Sequence, residues 1–284
     1  MRKYEALRNH QGVALRIKNR ASNSFRTGIV MDIKGKVALI TGAGGDFGKG
    51  VAKLLLERKC KVAIVDNRKE AGENAQRDLA KSFGRDNVIF LQCDVTNEEE
   101  FENAFIEAIN KFGKLNIVVN SAGVAELPNW RKVYAINTMA VYSGNLLGLK
   151  HMDKSRGWEG GHIVNVASIT GFMACPPVPS YASAKAAVIS FTRAFGSDIF
   201  FKRTGVTVNC ICPDAMDTPL LKGLLDACVH GGPEAIAVGK YFQESILDPE
   251  KVALGVIKLI EERVNGAALI ALRTKEFVYR KFDM

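Results

Sequence analysis

The stretch Val37-Ala-Leu-Ile-Thr-Gly-Ala-Gly-Gly-Asp-Phe-Gly48 decides the fold of this chain. It joins a short apolar run to a glycine-rich turn, and apolar residues at helical spacing follow it. Glycines in such a turn permit a tight reversal and close approach of the backbone to a pyrophosphate, which the amino terminus of the next helix attracts. The stretch therefore predicts a strand, a turn and a helix that form a dinucleotide site.

Short apolar runs alternate along the chain with longer stretches whose apolar residues recur at helical spacing, such as Val51, Leu54 and Leu55. Near-continuous apolar runs are typical of strands covered on both faces, as in parallel sheets. Repeated strand–helix units with right-handed crossovers give an open, doubly wound sheet. The predicted fold is therefore α/β, a single-domain Rossmann fold with a seven-stranded parallel sheet and helices on both faces. The predicted strands are VALIT (37–41), VAIVD (62–66), VIFLQCD (88–94), IVVN (117–120), HIVNVAS (162–168), VTVNCIC (206–212) and AALIAL (267–272).

The chain has 284 residues, 47% of them hydrophobic and 24% charged, which is enough to bury a large core in one domain from about 31 to 284. Its net charge of +9 is concentrated at the amino terminus. Residues 1–30 hold seven basic side chains and one acidic side chain, which leaves 32 basic and 29 acidic residues in the remainder. Because the remainder is close to neutral, nucleic-acid binding is not predicted.

The basic extension, residues 1–30, has two interpretations that the sequence leaves open. An Arg-rich, acid-poor segment is typical of a mitochondrial presequence, and a disordered extension ahead of a second start at Met31 fits as well. No segment approaches the ~18 consecutive apolar residues of a membrane span, so no integral membrane segment is predicted. We expect a cytoplasmic protein, or a mitochondrial-matrix protein if residues 1–30 are a presequence.

Six cysteines are scattered through the chain without a CxxC pair. This spacing is typical of reduced structural thiols, and no zinc or other metal site is predicted. Cys210 and Cys212 point the same way only if they share one face of a strand.

Asp66 closes the second predicted strand, 18 residues after Gly48. A carboxylate at this place can hydrogen-bond the adenosine ribose hydroxyls, and it repels a 2′-phosphate. NAD is therefore the predicted cofactor in preference to NADP. Arg68 is the neighbouring residue that argues for NADP.

Tyr181-Ala-Ser-Ala-Lys185 places a phenol and an ammonium four residues apart, on one face of a helix that follows the stiff loop Cys175-Pro-Pro-Val-Pro179. The cation is expected to lower the phenol pKa from its usual ~10, so that Tyr181 can act as an acid or a base. Ser168 ends the preceding strand, where its hydroxyl can polarise a carbonyl or alcohol oxygen. Each feature alone has a plain structural explanation, but their combination favours catalysis.

These features together resemble the short-chain dehydrogenase/reductase family across residues 34–272. The resemblance rests on motifs in the family's order and spacing: the glycine-rich turn, Cys93-Asp-Val95, Asn120-Ser-Ala-Gly123, Ile136-Asn137, Ser168 and Tyr181 to Lys185. Within the family, five further stretches resemble the 15-hydroxyprostaglandin dehydrogenase and insect alcohol-dehydrogenase branches. These stretches are Gly148-Leu149, Glu159-Gly-Gly161, Ile211-Cys-Pro213, Leu247-Asp-Pro249 and Asn265-Gly-Ala267.

The resemblance implies a catalytic tetrad. Tyr181 would be the acid/base, Lys185 would lower its pKa and bind the nicotinamide ribose, Ser168 would orient the substrate, and Asn137 would hold the water of a proton relay. Family members often form dimers or tetramers through the helices that contain Asn137 and Tyr181, so a homodimer or homotetramer is expected. Asp94 would contact adenine. The complete set of expected NAD contacts is Gly42, Gly44, Asp46, Phe47, Gly48, Asp66, Asn67, Cys93, Asp94, Val95, Asn120, Ser121, Ala122, Tyr181, Lys185, Pro213, Met216 and Thr218.

Three departures from the family pattern bear on cofactor binding. Asp46 replaces the penultimate glycine of the turn, Asp214 replaces the glycine expected after the sixth strand, and Ser121 replaces the second asparagine of an Asn-Asn-Ala-Gly motif. Two of these changes place acids near an anionic cofactor. Asp46 also has a plain interpretation as a helix N-cap that accepts a hydrogen bond from the N–H of Gly48 or Lys49.

The predicted function is an NAD-dependent oxidoreductase that interconverts a secondary alcohol and a ketone, because all four residues of the implied tetrad are present. The second hypothesis is a cofactor-poor pseudoenzyme that serves as a binding or regulatory scaffold. Asp46 and Asp214 motivate that second hypothesis.

The segment after Thr218-Pro219 resembles the family's substrate lid and favours a small, apolar, lipid-like alcohol or ketone. Its apolar residues are Leu220, Leu221, Leu224 and Leu225. An ordinary amphipathic helix with leucines facing the core is the alternative that stays open. Val178 stands where the prostaglandin-oxidising members carry a polar Gln, so the resemblance does not by itself imply a prostaglandin substrate.

Overall fold

The structure is a computed structural model that describes residues 32–125, 128–229, 232–244, 246–273 and 277–282. The predicted extension, residues 1–30, lies outside the described residues. The strands are β1 (Val37–Thr41), β2 (Lys61–Asp66), β3 (Val88–Gln92), β4 (Ile117–Asn120), β5 (Gly161–Val166), β6 (Val206–Pro213), β7 (Ala268–Ala271) and β8 (Phe277–Arg280).

Helices follow most of the strands, as a doubly wound fold requires. They are α1 (Asp46–Glu57), α2 (Lys69–Phe83), α3 (Glu98–Phe112), α4 (Trp130–Tyr134), α5 (Val141–Met152), α6 (Pro179–Phe195), α7 (Asp198–Thr204), α8 (Pro219–Val229), α9 (Gly232–Gln243) and α10 (Pro249–Glu261). A π-helical turn, Ala135–Ala140, joins α4 to α5. Among the helices of the described ranges, none has the length and apolar character needed to cross a bilayer.

The eight strands form one sheet in the order β3-β2-β1-β4-β5-β6-β7-β8. The pairs from β3 to β7 are parallel, which confirms the predicted α/β doubly wound sheet. The predicted count of seven strands is one too low, because β8 pairs antiparallel with β7 at the edge of the sheet. Its residues are half-buried or exposed, so β8 lacks the continuous apolar run by which the other strands were predicted.

Side chains of the central strands alternate between two apolar layers. Ile40 and Ile64 contact the layer that α1, α2 and α10 cover, whereas Leu39 and Val65 contact the layer that α3, α5 and α6 cover. This period of two follows from strand geometry and explains why both faces of the sheet are apolar.

The order of connection reverses between β1 and β4, which are neighbours in the sheet although two strands separate them in sequence. The segments that leave the carboxyl ends of these two strands turn away from each other. An open α/β sheet binds its ligand in the crevice at such a point. The fold therefore places the glycine-rich turn and the segment after Asn120 on the same crevice.

Candidate active site

A cleft of about 750 Å³ opens at the carboxyl ends of β1, β2, β4, β5 and β6. Eighteen of the predicted catalytic and cofactor-binding residues line it: Gly42, Gly44, Asp46, Phe47, Gly48, Asp66, Asn67, Cys93, Asp94, Val95, Ser121, Ala122, Ser168, Tyr181, Lys185, Pro213, Met216 and Thr218. The two exceptions, Asn120 and Asn137, are buried beside the cleft. The fold therefore brings nearly all of the predicted residues into one site.

The glycine-rich turn packs so closely against neighbouring backbone that side chains do not fit at two of its positions. Gly42 has a φ of +69°, and a Cβ there would lie 2.8 Å from Ala122 Cα. A Cβ at Gly48 would lie 2.7 Å from the Gly42 carbonyl oxygen. The turn leads directly into α1, whose first N–H groups attract an anion. These features fit the pyrophosphate of a dinucleotide.

Asp46 is the first residue of α1 and is exposed at the edge of the cleft. Gly45 is the N-cap of the helix, and within the described residues no side chain caps this helix end. The interpretation of Asp46 as an N-cap is therefore wrong. Lys49, one turn further on, pairs with Asp78 through a 2.8 Å contact and leaves the Asp46 charge without that neighbour.

Asp66 is a buried carboxylate at the end of β2 with several donors around it. Its Oδ2 accepts a hydrogen bond of 3.0 Å from the Gly44 N–H, which ties β2 to the glycine-rich turn. Arg68 binds the same carboxylate in a bidentate way, with Nε 3.0 Å from Oδ1 and Nη2 3.2 Å from Oδ2. The Arg68 guanidinium is thus directed at Asp66, and the hydrogen bond to Asp66 raises the pKa of Arg68.

The side chain of Thr41 holds the segment after β4 against the glycine-rich turn. Thr41 is not among the predicted site residues. The buried Thr41 Oγ1 accepts hydrogen bonds of 3.0 Å from the N–H groups of both Ser121 and Ala122. The Asn120 side chain instead donates to Asn165 Oδ1 on β5, at 2.8 Å. Asn120 therefore braces two strands, and the three residues after it line the cleft.

Asp94 follows β3 and is exposed at the far end of the cleft. Its Oδ1 accepts hydrogen bonds from the N–H and the hydroxyl of Thr96, at 2.9 Å and 2.8 Å. The turn before α3 is thereby fixed. Cys93 and Val95, its neighbours in sequence, also line the cleft, as the resemblance implies.

Tyr181 and Ser168 meet because the 3₁₀ turn after β5 packs tightly on α6. A Cβ at Gly171 in this turn would lie 2.9 Å from the Ala186 nitrogen, which shows how closely the two segments approach. The hydroxyl of Ser168 hydrogen-bonds the phenol of Tyr181. Ser168 also caps the turn by accepting from the Thr170 N–H at 3.2 Å, so the structural interpretation of this serine is confirmed and its catalytic role stays a prediction.

Lys185 lies one turn after Tyr181 on α6, with its Nζ 5.6 Å from the centroid of the phenol ring. The Nζ donates a 2.8 Å hydrogen bond to the Val166 carbonyl at the end of β5. Burial lowers the pKa of Lys185 to about 8. Burial also raises the pKa of Tyr181 to about 12, against the smaller lowering effect of Ser168.

The raised Tyr181 pKa differs from the lowered value that the Tyr181–Lys185 spacing predicts. The physical reason is that the phenol is almost fully buried, and burial penalises its charged form more than its neighbours favour it. The phenol of Tyr181 is therefore in its neutral form at neutral pH.

Asn137 lies in the π-helical turn and is fully buried. Its side-chain oxygen accepts from the Val124 N–H and its amide nitrogen donates to the Val124 carbonyl, both at 2.8 Å. The side chain thus clamps the backbone of a residue that lines the cleft. π-helical turns are frequent at functional sites, but their presence is not apparent from sequence spacing.

Apolar side chains of α8 and α9 form part of the lining of the cleft that also contains Tyr181. Leu220, Leu221 and Leu224 of α8 line it, together with Phe242 of α9. Leu221 and Leu224 also belong to an apolar cluster that includes Tyr181 and Val178. The interpretation as an amphipathic helix with leucines facing the core is therefore confirmed for Leu221 and Leu224, which also line the cleft, and the interpretation as a substrate lid stays a prediction.

Asp214 is a buried carboxylate that lines the cleft directly after Pro213, the last residue of β6. Its Oδ2 accepts a 3.1 Å hydrogen bond from the hydroxyl of Tyr241 on α9, and its Oδ1 accepts from the Ala215 N–H at 2.9 Å. The sequence pattern does not indicate Tyr241 as a partner of Asp214, because no spacing rule relates two residues that are 27 positions apart.

Residues 36–228 match the family described as short chain dehydrogenase. The 15-hydroxyprostaglandin dehydrogenase (NAD+) of Bos taurus is 38% identical over 260 residues, which cover 89% of this chain and 97% of that protein. Alcohol dehydrogenase 1 of Ceratitis capitata is 28% identical over 241 residues, which cover 85% and 93% of the two chains. The crystal structure of a short chain dehydrogenase/reductase from Burkholderia phymatum in complex with NAD gives a TM-score of 0.72 at 26% identity, and the match covers 84% of this chain and 90% of that one.

Proposed function

The chain belongs to the short-chain dehydrogenase family and is an NAD-dependent alcohol/ketone oxidoreductase, and we propose that its substrates are small, mostly apolar secondary alcohols and the matching ketones. The predicted family and both predicted branches are confirmed by the comparisons. The comparisons give no support to the pseudoenzyme hypothesis. The observation that carries the proposal is that Tyr181, Ser168 and Lys185 line the same cleft as Leu220, Leu221 and Leu224.

The cofactor would occupy the part of the cleft between the glycine-rich turn and Asp66. Gly42 and Gly48 allow the turn to pack tightly against the segment after β4 and against itself, and the start of α1 supplies N–H groups for the pyrophosphate. Asp66 would bind the adenosine ribose, and its charge favours NAD over NADP. When bound, NAD exchanges a hydride with the substrate carbon.

Tyr181 is the proposed acid/base. In the direction of reduction, the neutral phenol donates its proton to the carbonyl oxygen, which becomes the alcohol. Ser168, hydrogen-bonded to the phenol, orients that oxygen by a second hydrogen bond. In the direction of oxidation the same proton passes from the alcohol to the phenolate. Lys185, held by the Val166 carbonyl, provides positive charge beside the phenolate.

Asn137 has a proposed supporting role in the same site. Its amide is engaged with both backbone groups of Val124, so its side chain fixes one edge of the cleft. The water-holding role that the resemblance implies for this residue stays a prediction.

The preference for an apolar substrate can be tested with secondary alcohols of graded polarity. Purified protein and NAD are incubated with each alcohol, and NADH formation is followed by absorbance. We expect kcat/KM to rise with apolar chain length and to be lower for polyols of similar size, since each buried CH₂ contributes about 0.8 kcal/mol. Tyr181→Phe serves as the matched control for turnover at this site. A preference for polyols would contradict the proposal.

We also propose that the protein is a homodimer or homotetramer that associates through α5 and the preceding π-helical turn. Met139, Tyr142 and Leu146 are large apolar side chains exposed on that surface. Exposed apolar groups clustered in this way are typical of protein interfaces. Light scattering of the protein should give a mass of two or four chains, and Leu146→Asp should lower it. A monomeric wild-type protein would contradict this proposal.

A cytoplasmic location is proposed, with the mitochondrial matrix as the alternative if residues 1–30 are a presequence. Support comes from the thiols: Cys60, Cys93, Cys175, Cys210, Cys212 and Cys228 are free and buried, as suits a reducing compartment. Microscopy of the full chain and of a variant without residues 1–30 distinguishes the two locations.

A further inference from the structure

Helices α8 and α9 lie between β6 and α10 in the chain. The segment before α8 and the segment after α9 are joined by backbone hydrogen bonds, and we call these joined segments, which contain Ala215, Asp217 and Leu247, the base of the helix pair. The Leu247 N–H donates to the Ala215 carbonyl at 2.7 Å, and the Asp217 N–H donates to the Leu247 carbonyl at 2.9 Å. The base is therefore held by backbone hydrogen bonds. The orientation of the helices above that base depends on contacts made by their side chains.

The two helices form one packed unit. A Cβ at Gly239 of α9 would lie 3.0 Å from the Cβ of Cys228 of α8, so the helices approach closely. Leu221 and Leu224 of α8 and Phe242 of α9 all face the cleft. Any rotation of the unit on its base would therefore move these apolar side chains of the cleft together.

The hydroxyl of Tyr241 connects this unit to the sheet through its 3.1 Å hydrogen bond to Asp214. Asp214 is itself fixed at the end of β6, because its N–H donates to the Ala271 carbonyl of β7 at 3.0 Å and its Oδ1 accepts from Ala215. Only 5% of Asp214 is exposed. The carboxylate is thus a rigid anchor, whereas Tyr241 belongs to the unit that is anchored.

We propose that Asp214 and Tyr241 are positioning residues that hold α8 and α9 against the cleft and thereby set the affinity for the apolar part of the substrate. This inference rests on the proposed function, since it concerns how the same cleft recognises its alcohol. It also accounts for Asp214, which motivates the pseudoenzyme hypothesis when only the sequence is considered. A carboxylate at that position gives the helix pair an acceptor that glycine cannot supply.

The strength of the hydrogen bond between Tyr241 and Asp214, which we call the tie, depends on pH. Burial raises the pKa of Asp214 to about 6, against lowering effects from the Ala215 N–H, the Tyr241 hydroxyl and the charge of Arg273. Tyr181 and Lys185 of α6 are titratable groups that line the same cleft, and the thiols of Cys175 and Cys212 act on the pKa values of these two residues. Because a hydrogen bond to an ionised acceptor is stronger than one to a neutral acceptor, the tie is strongest above pH 6 and weakens as pH falls through that value.

Tyr241→Phe tests the tie by removing one hydroxyl and leaving the aromatic ring. With 2-decanol, which is long enough to reach the leucines of α8, we expect KM to rise about tenfold, equivalent to about 1.4 kcal/mol, with kcat changed less than twofold. With 2-butanol, KM should change less than twofold. Tyr279→Phe is the matched control, because Tyr279 donates a similar hydrogen bond to Glu262 away from the cleft, at 2.6 Å. Equal effects on both alcohols, or an effect on kcat alone, would overturn the proposal.

Asp214→Asn tests the charge. In the wild type, KM for 2-decanol should rise as pH falls through about 6, and the variant should lose this inflection. An inflection that persists in the variant would assign the titration to another group and overturn the pH dependence.

Hydrogen exchange provides a measurement that needs no substrate. Amides of α8 and α9 should exchange about tenfold faster in Tyr241→Phe than in wild type or Tyr279→Phe, while amides of α6 stay unchanged. Unchanged exchange in α8 and α9 would overturn the tie. If the wild type oxidises no secondary alcohol, the proposed function fails, and hydrogen exchange still decides whether the tie exists.

Discussion

Asp66→Ala is expected to reduce the preference for NAD over NADP by about 10²-fold. The Asp66 side chain is 4% exposed and forms an ion pair with Arg68, whose side chain is 58% exposed. Removal of the carboxylate abolishes a hydrogen-bond acceptor for the adenosine ribose, and a bond to a charged group contributes about 1.5–3 kcal/mol. It also frees Arg68 to attract a 2′-phosphate, for which an exposed ion pair contributes up to about 1 kcal/mol. The sum, about 1.5–4 kcal/mol, corresponds to a factor between about 10 and about 10³, with 10² near the middle of that range.

The assay is the ratio of kcat/KM with NAD to kcat/KM with NADP, measured for one alcohol at one pH. Arg68→Met is the matched control, because it keeps the carboxylate and should keep the preference for NAD. The double variant separates the two contributions: its ratio should fall less than that of Asp66→Ala, by the amount that the freed guanidinium supplies. A wild type that prefers NADP, or an Asp66→Ala ratio within threefold of wild type, would refute this reasoning.

Three further substitutions test the site. Tyr181→Phe should lower turnover by about 10² or more and leave NADH affinity within a few-fold, since it removes the proton and keeps the ring; retained turnover would exclude Tyr181 as the acid/base. Lys185→Met should impair both turnover and nucleotide binding, and a defect in only one would contradict the dual role. Because the pKa of Lys185 falls to about 8 from its ordinary 10.5, the unfolded chain binds more protons between these values, so the free energy of unfolding of wild type should rise relative to Lys185→Met as pH increases from 8 to 10.5. Asp46→Gly should tighten NADH binding about fivefold, since the exposed charge interacts with a phosphate ~4 Å away by about 1 kcal/mol in water; calorimetric titration showing unchanged or weaker binding would mean that Asp46 points away from the pyrophosphate.

Local patterns in the sequence determine most of the fold. Strands β1 and β4 have the predicted bounds, and the other parallel strands begin or end within a few residues of the prediction. The reason is that a continuous apolar run in an α/β protein is typical of a parallel strand, because helices on both faces of the sheet bury all of its side chains. The edge strand β8 was missed because a strand exposed to solvent needs no such run, and its place depends on its partner β7.

Local patterns also predict which residues lie together in the cleft. Glycines at Gly42 and Gly48, a carboxylate at the end of β2 and a Tyr181–Lys185 pair on one helix are short-range features, and parallel strands bring their carboxyl ends to one edge. Only the identity of the residues and their spacing is required to place them together.

Tertiary structure alone decided which partner each polar group takes and how far it is buried. Lys49 pairs with Asp78 rather than Asp46, and Tyr241 reaches Asp214 across 27 residues. Burial raises the pKa of Tyr181, whereas the spacing of Tyr181 and Lys185 predicted a lower value. The physical reason is that secondary structure follows from neighbours in sequence, but desolvation and the choice among competing hydrogen-bond partners depend on which distant segments meet in space.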